Sequence, residues 1–136
     1  GDGVRIQSPF MIHNADINKK IFLNLEIGNH CYIGRGCIFD LMDKIVIEDR
    51  VTISHKCVLN THTHAGESNL VKEGVLPISQ NAINIKDDTY IGSGVTILEG
   101  VTIGNGAIVG AMSLVNKNIP NKTTSVGIPS KIILHR

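Results

Sequence analysis

Six aliphatic residues, Ile85, Ile91, Ile97, Ile103, Val109 and Val115, stand at a strict spacing of six. The residue four places after each of the first five is small or β-branched: Thr89, Val95, Val101, Ala107 and Ser113. An amphipathic helix repeats its apolar residues about every 3.6 positions and a half-buried strand about every 2, so neither fits. A six-residue period with glycine in its second or fourth place is the pattern of a parallel β-helix. Three hexads complete one triangular coil, which stacks Ile85 under Ile103, Ile91 under Val109 and Ile97 under Val115, 18 residues apart. The corners fall at Gly92, Gly104 and Asn105-Gly106, where a positive φ or a close backbone approach costs least.

Such a core consists of stacked aliphatics, and the composition agrees: three Phe, two Tyr and no Trp in 136 residues. That length suffices for one domain with a buried core. Thirteen basic and 12 acidic residues leave a net charge of +1, without the basic footprint that a nucleic-acid binder needs. Cys31 and Cys57 fall at the small inward place of their hexads, and the three cysteines (with Cys37) read as reduced packing residues rather than metal ligands. No apolar run approaches the roughly 18 residues that span a bilayer, and residues 1–26 lack a signal-peptide pattern. A soluble, cytoplasmic protein without membrane insertion is expected. The chain opens at Gly1 rather than Met, which leaves room for an upstream segment.

Taken in order, residues 1–26 are the least regular and read as a capping coil, with turns at Ser8-Pro9 and from Asn14 to Lys20. Hexads begin at Ile27, are interrupted over Phe39 to Lys44 and resume at Ile47. From Ile33 the period calls for Ile45, whereas the later frame runs 47, 53, 59; the slip of two residues predicts a bulge near Asp40 to Asp43. Between Leu59 and Ile85 stand 25 residues where the pattern needs five. About 20 residues therefore leave the coil as a loop, opening Asn60-Thr61-His62-Thr63-His64, and loops of that length in compact repeats usually carry function. The expected organisation is one all-β domain over 1–136, with a capping coil at 1–26 and hexapeptide coils at 27–59 and 85–120. The active-site loop is 60–84 and a C-terminal tail runs over 121–136.

The hexads, the THTH segment, the run IGSGVTILEGVTIGNGAIVGAMSLVNKNIP and the ending SVGIPSKII resemble the hexapeptide-repeat acetyltransferases, nearest to the sugar and polysaccharide O-acetyltransferases of the maltose and galactoside type. The resemblance covers most of residues 27–133. It implies a single-stranded left-handed parallel β-helix, an exception to the right-handed crossover rule, assembled as a homotrimer. It further implies acetyl-CoA as co-substrate and a saccharide as acceptor. A histidine at the mouth of the loop is the family's general base, and the matching position is His64, with His62 as near competitor. The same resemblance lays the pantetheine arm along Gly94, Gly110, Ala111 and Asn116, with Lys117 and Lys131 toward the nucleotide phosphates.

The chemistry these residues suit is direct acyl transfer, in which a neutral imidazole takes the acceptor hydroxyl proton as the oxygen attacks the thioester. Backbone N–H groups near Gly92 to Gly94 are candidates for stabilising the oxyanion. The family's aromatic before the first late IG is often Trp, and here it is Tyr90. No match to its acceptor-holding Asn and Asp is found in residues 27–44, where Asp40 and Asp43 are candidates by proximity to a loop. Two other classes fit parts of the pattern. A zinc enzyme resembling γ-class carbonic anhydrases could use His62-x-His64 as two ligands on one side of a strand, and a β-helix can serve as a silent scaffold. His13, His30 and His135 read as surface or cap residues, and His55 falls in a corner that can face a neighbouring subunit.

Overall fold

The computed structural model describes residues 1–14 and 23–136. The chain passes through three parallel sheets in rotation, so that it winds as a β-helical coil. The first sheet contains Arg5–Ile6, Tyr32–Ile33, Thr52–Ile53, Tyr90–Ile91, Ile108–Val109, Thr123–Gly127 and Ser130–His135. The second contains Met11–His13, Ile38–Asp40, Val58–Leu59, Thr96–Ile97 and Leu114–Val115, and the third Leu25–Ile27, Ile45–Ile47, Ile83–Ile85 and Thr102–Ile103. The described residues hold one helix, the four-residue Asn69–Lys72, and no helix among them is long and apolar enough to cross a membrane.

The register follows the hexads. Ile85 pairs with Ile103, Ile91 with Val109 and Ile97 with Val115. One coil lower the interval is 20 residues, with Ile27 on Ile47, Ile33 on Ile53 and Phe39 on Leu59. The two extra residues are taken up in the corner over 41–44, where the frame slip predicts them. Across the loop the interval is 38, with Ile47 on Ile85, Ile53 on Ile91 and Leu59 on Ile97. The coil is rejoined at Ile83, which pairs with Ile45, two residues before the expected restart at Ile85.

The inward side chains form aliphatic ladders: Ile33, Ile53, Ile91 and Val109 are fully buried, as are Ile47, Ile85 and Ile103. Each buried isoleucine contributes about 1.5–3 kcal/mol by transfer from water. All three cysteines are free and buried within this stack. Polar inward residues are satisfied locally, because Thr89, Ser113 and Thr123 each donate a hydroxyl to the carbonyl three residues back, at 2.7, 2.7 and 2.9 Å. Ser125 is fully buried, and its Oγ has no partner among the described residues.

At the N-terminal end, Ile6 pairs with Ile33 and Ile12 with Phe39, so residues 5–13 already lie in coil register. Phe10 closes that end edge-on against Phe39, centroids 4.9 Å apart. The expected turn from Asn14 to Lys20 lies, beyond Asn14, outside the described residues. At the other end Thr123–Gly127 continues the first sheet and Ser130–His135 doubles back antiparallel upon it. The residues expected as a tail thus form a hairpin, which covers the sheet edge that an open coil would expose.

Candidate active site

The loop leaves and re-enters the coil through a two-stranded antiparallel ribbon, with His62 opposite Gln80 and Thr63 opposite Ser79. Glu99 holds this neck from the coil beneath. Its Oε1 accepts from the hydroxyls of Thr63 (3.0 Å) and Ser79 (2.7 Å), and its Oε2 accepts from Asn81 Nδ2 (3.1 Å). Burial alone would raise the Glu99 carboxyl, but the bonds from Ser79, Asn81 and Thr63, with the nearby His62, hold it below its ordinary value. Ion-paired or hydrogen-bonded carboxylates titrate low for this reason.

At the root of the ribbon His62 meets Asp40, which sits at the corner carrying the two-residue slip. The His62 Nδ1 lies 2.6 Å from Asp40 Oδ2. The carboxylate is 7% exposed and the ring 21%. Oδ2 also accepts the backbone N–H and the hydroxyl of Thr61, both at 2.9 Å, while Oδ1 accepts from Asn14 Nδ2 at 2.6 Å. Burial would push the Asp40 carboxyl up; the bonds from Asn14, His62 and Thr61 outweigh it and keep the pKa below the ordinary value. An ionised carboxylate only accepts, so Nδ1 carries the imidazole proton and the Nε2 lone pair is left free. Asp43 has a local role, its Oδ1 accepting the Lys44 N–H across the turn at 2.6 Å.

His64 is placed differently. It is exposed, and its Nδ1 accepts the backbone N–H of Gly66 at 2.8 Å. That bond puts its proton on Nε2, so in this state the outer edge of the ring is a donor.

The six residues expected along the cofactor fall into two groups. Gly94, Gly110 and Ala111 stack on the corner between the first and second sheets. Gly94 adopts φ +71°, and a side chain there would strike the exposed Met112; Ala111 is exposed. Asn116, Lys117 and Lys131 come together with Ser125 and Ser130 in a cavity of about 320 Å³ at the C-terminal end. Ser125, whose buried hydroxyl has no partner among the described residues, is one of the residues around that cavity. Of the amides expected as oxyanion donors over Gly92 to Gly94, the Ser93 N–H has no acceptor among the described residues; Gly92 N–H is spent on Val109 O and Gly94 N–H on His55 O, both at 2.8 Å. In a stacked coil the two glycine amides are ladder donors, so they are not available to a reacting carbonyl.

Neither Asn14 nor Glu99 was identified from the sequence. Their roles arise from contacts 26, 36, 20 and 18 residues away, and a hexad pattern carries no signal for them.

Residues 82–117 match the family described as bacterial transferase hexapeptide, six repeats. The chain is 33% identical over 111 residues to the serine acetyltransferase of Buchnera aphidicola subsp. Acyrthosiphon pisum, covering 81% of this chain and 38% of that protein. It is 32% identical over 124 residues to the galactoside O-acetyltransferase of Escherichia coli K12, covering 88% and 60% respectively. A hexapeptide-repeat acetyltransferase of Vibrio cholerae, solved in complex with acetyl coenzyme A, superposes with a TM-score of 0.83 at 28% identity, covering 97% of this chain and 67% of that one. The segment 82–117 therefore carries the bacterial transferase hexapeptide repeat, and the chain is similar to acetyltransferases over most of its length. It spans between 38% and 62% of the lengths of the curated relatives it matches.

Proposed function

We propose that the chain forms the left-handed β-helix of an acetyltransferase that moves the acetyl group of acetyl-CoA directly to a saccharide hydroxyl. The observation that carries this reading is the His62–Asp40 pair at the root of the loop. With Nδ1–H held by the carboxylate, His62 Nε2 accepts the hydroxyl proton while the acceptor oxygen bonds to the thioester carbonyl carbon. The tetrahedral intermediate collapses as the C–S bond breaks, and the imidazolium returns the proton to the departing thiolate. Asp40 keeps the ring in the required tautomer and stabilises the imidazolium between the two proton transfers.

Acetyl-CoA as donor is supported by the complex of the Vibrio relative and by the cavity at Asn116, Lys117 and Lys131, whose two ammonium groups suit nucleotide phosphates. A saccharide hydroxyl as acceptor is supported by the Escherichia coli relative, whose name specifies O-acetylation of a galactoside. A homotrimer is supported by geometry. His62 and the groove over Gly94, Gly110 and Ala111 stand at different corners of one coil, so a neighbour's corner is needed to bring them together.

A second reading makes His64 the base, the position that the family resemblance matches. Its exposure favours access, but it must first give up the Gly66 bond and move its proton to Nδ1.

Thioester release from acetyl-CoA against a panel of saccharides tests the reaction, and no release above buffer with any acceptor would refute it. His62→Ala should lower turnover by about 10²–10⁴-fold with acetyl-CoA binding retained. A loss confined to His64→Ala moves the base by two residues. Equal loss in both variants, with stoichiometric zinc in the parent, replaces the reading with a zinc enzyme.

A further inference from the structure

The corner between the first and second sheets carries a second concavity, nearer the N-terminus than the cofactor groove. Gln7, Pro9, Arg35, Gly36, His55 and Lys56 line a cavity of about 520 Å³. The His55 Nδ1 accepts the Arg35 backbone N–H at 3.0 Å, which leaves the ring proton on Nε2 as an outward donor. Arg35 and Lys56 add a guanidinium and an ammonium, both exposed and neither able to accept a hydrogen bond.

Elsewhere four of the described lysines and arginines are ion-paired: Arg50 is met by Asp88 at 2.6 Å, Lys86 by Glu48 at 2.7 Å, Lys44 by Glu26, and Lys72 by Glu67 at 3.6 Å. Lys117, Lys122 and Lys131 are, like Arg35 and Lys56, without a carboxylate within ion-pair distance among the described residues. The stacked corner positions 7–9, 34–36, 54–56, 92–94 and 110–112 contain no Asp or Glu. Two uncompensated cations and an imidazole N–H around one cavity make a seat for an anion.

The corner that carries the cavity stacks directly against the corner of the groove, the Gly94 N–H donating to His55 O at 2.8 Å. In the proposed function the nucleotide lies at Lys117 and Lys131 and the pantetheine arm along Ala111, Gly110 and Gly94, a course that is directed toward this seat. We propose that the acceptor is an anionic saccharide whose phosphate or carboxylate is held by Arg35, His55 and Lys56. This inference rests on the acetyltransferase reading for the word acceptor, while the anion seat itself does not.

The test compares the parent with an Arg35→Gln/Lys56→Gln variant. Calorimetry with inorganic pyrophosphate, with Lys117→Gln/Lys131→Gln introduced into both to remove the other proposed phosphate seat, should show binding to the parent that weakens with added salt, and at least about tenfold weaker binding to the variant. In thioester release, the parent's kcat/KM should favour glucose 6-phosphate or glucuronic acid over glucose by about tenfold or more. That preference should fall toward unity in the variant, and the better of the two acids distinguishes phosphate from carboxylate. Equal pyrophosphate affinity in parent and variant, or glucose used as well as both acids, overturns the proposal. No release above buffer with any acceptor, together with pyrophosphate binding that the variant loses, removes the acetyltransferase reading and leaves the anion seat standing.

Discussion

Asp40 is the residue on which the geometry of the site turns. A carboxylate buried at this corner would be costly without partners, and five groups supply them: Asn14, the Met42 N–H, both hydrogen-bonding groups of Thr61, and His62. Asp40→Asn keeps the shape but offers Nδ1 an amide that can donate, which releases the tautomer. Turnover should fall by about 10²–10⁴-fold with acetyl-CoA affinity retained, as single-turnover and binding measurements would show. The same variant reports on stability. A carboxyl held low in the folded chain contributes stability above its unfolded pKa of about 3.9, and that contribution is lost as pH falls through the lower folded value. The urea midpoint of the parent should therefore exceed that of Asp40→Asn at neutral pH, and the gap should shrink below about pH 4. A gap that widens on acidification would remove Asp40 from the account.

Among the elements, the ribbon at 62–63 and 79–80 does what no hexad does, fastening a mobile-length excursion to a rigid coil. Glu99 makes three of its hydrogen bonds, two from the ribbon strands and one from Asn81 beside them. Glu99→Ala should raise amide exchange and proteolysis across residues 64–78 while the cooperative unfolding of the coil shifts little, since local opening and global unfolding draw on different contacts. Exchange that rises equally in the coil strands would instead make Glu99 a support of the whole fold. The coils themselves were legible because each inward residue meets the same environment 18 residues later, so the periodicity is the contact map. The slip at 41–44 and the length of the loop could be read as departures from that period. The first coil was not legible, because the register between Ile12 and Leu25 is interrupted before the hexads establish a frame. Nor was the C-terminal hairpin, whose antiparallel return from Ser130 has no six-residue period. The site was half legible: the histidines stood out in the loop, but which ring faces a carboxylate depends on how the 41–44 corner aims Asp40.

At the scale of the whole molecule, the loop and the groove occupy different corners of the coil, so a single chain holds the proposed base and the proposed cofactor seat at separate corners. If a neighbour's groove completes each site, two differently damaged chains should repair one another. His62→Ala lacks the base but keeps the groove. Ala111→Leu fills the groove from an exposed position, so its fold should survive. Each alone should be nearly inactive. In trimers co-expressed from equal amounts of both, a working site needs His62 from one subunit and Ala111 from the next, which random assembly gives at about one interface in four. Recovery of about a quarter of parental turnover, in particles that light scattering sizes as trimers, is the expected result. Inactivity of the mixture despite trimer formation would place base and cofactor within one chain, and a stable monomer at micromolar concentration would remove the shared site altogether.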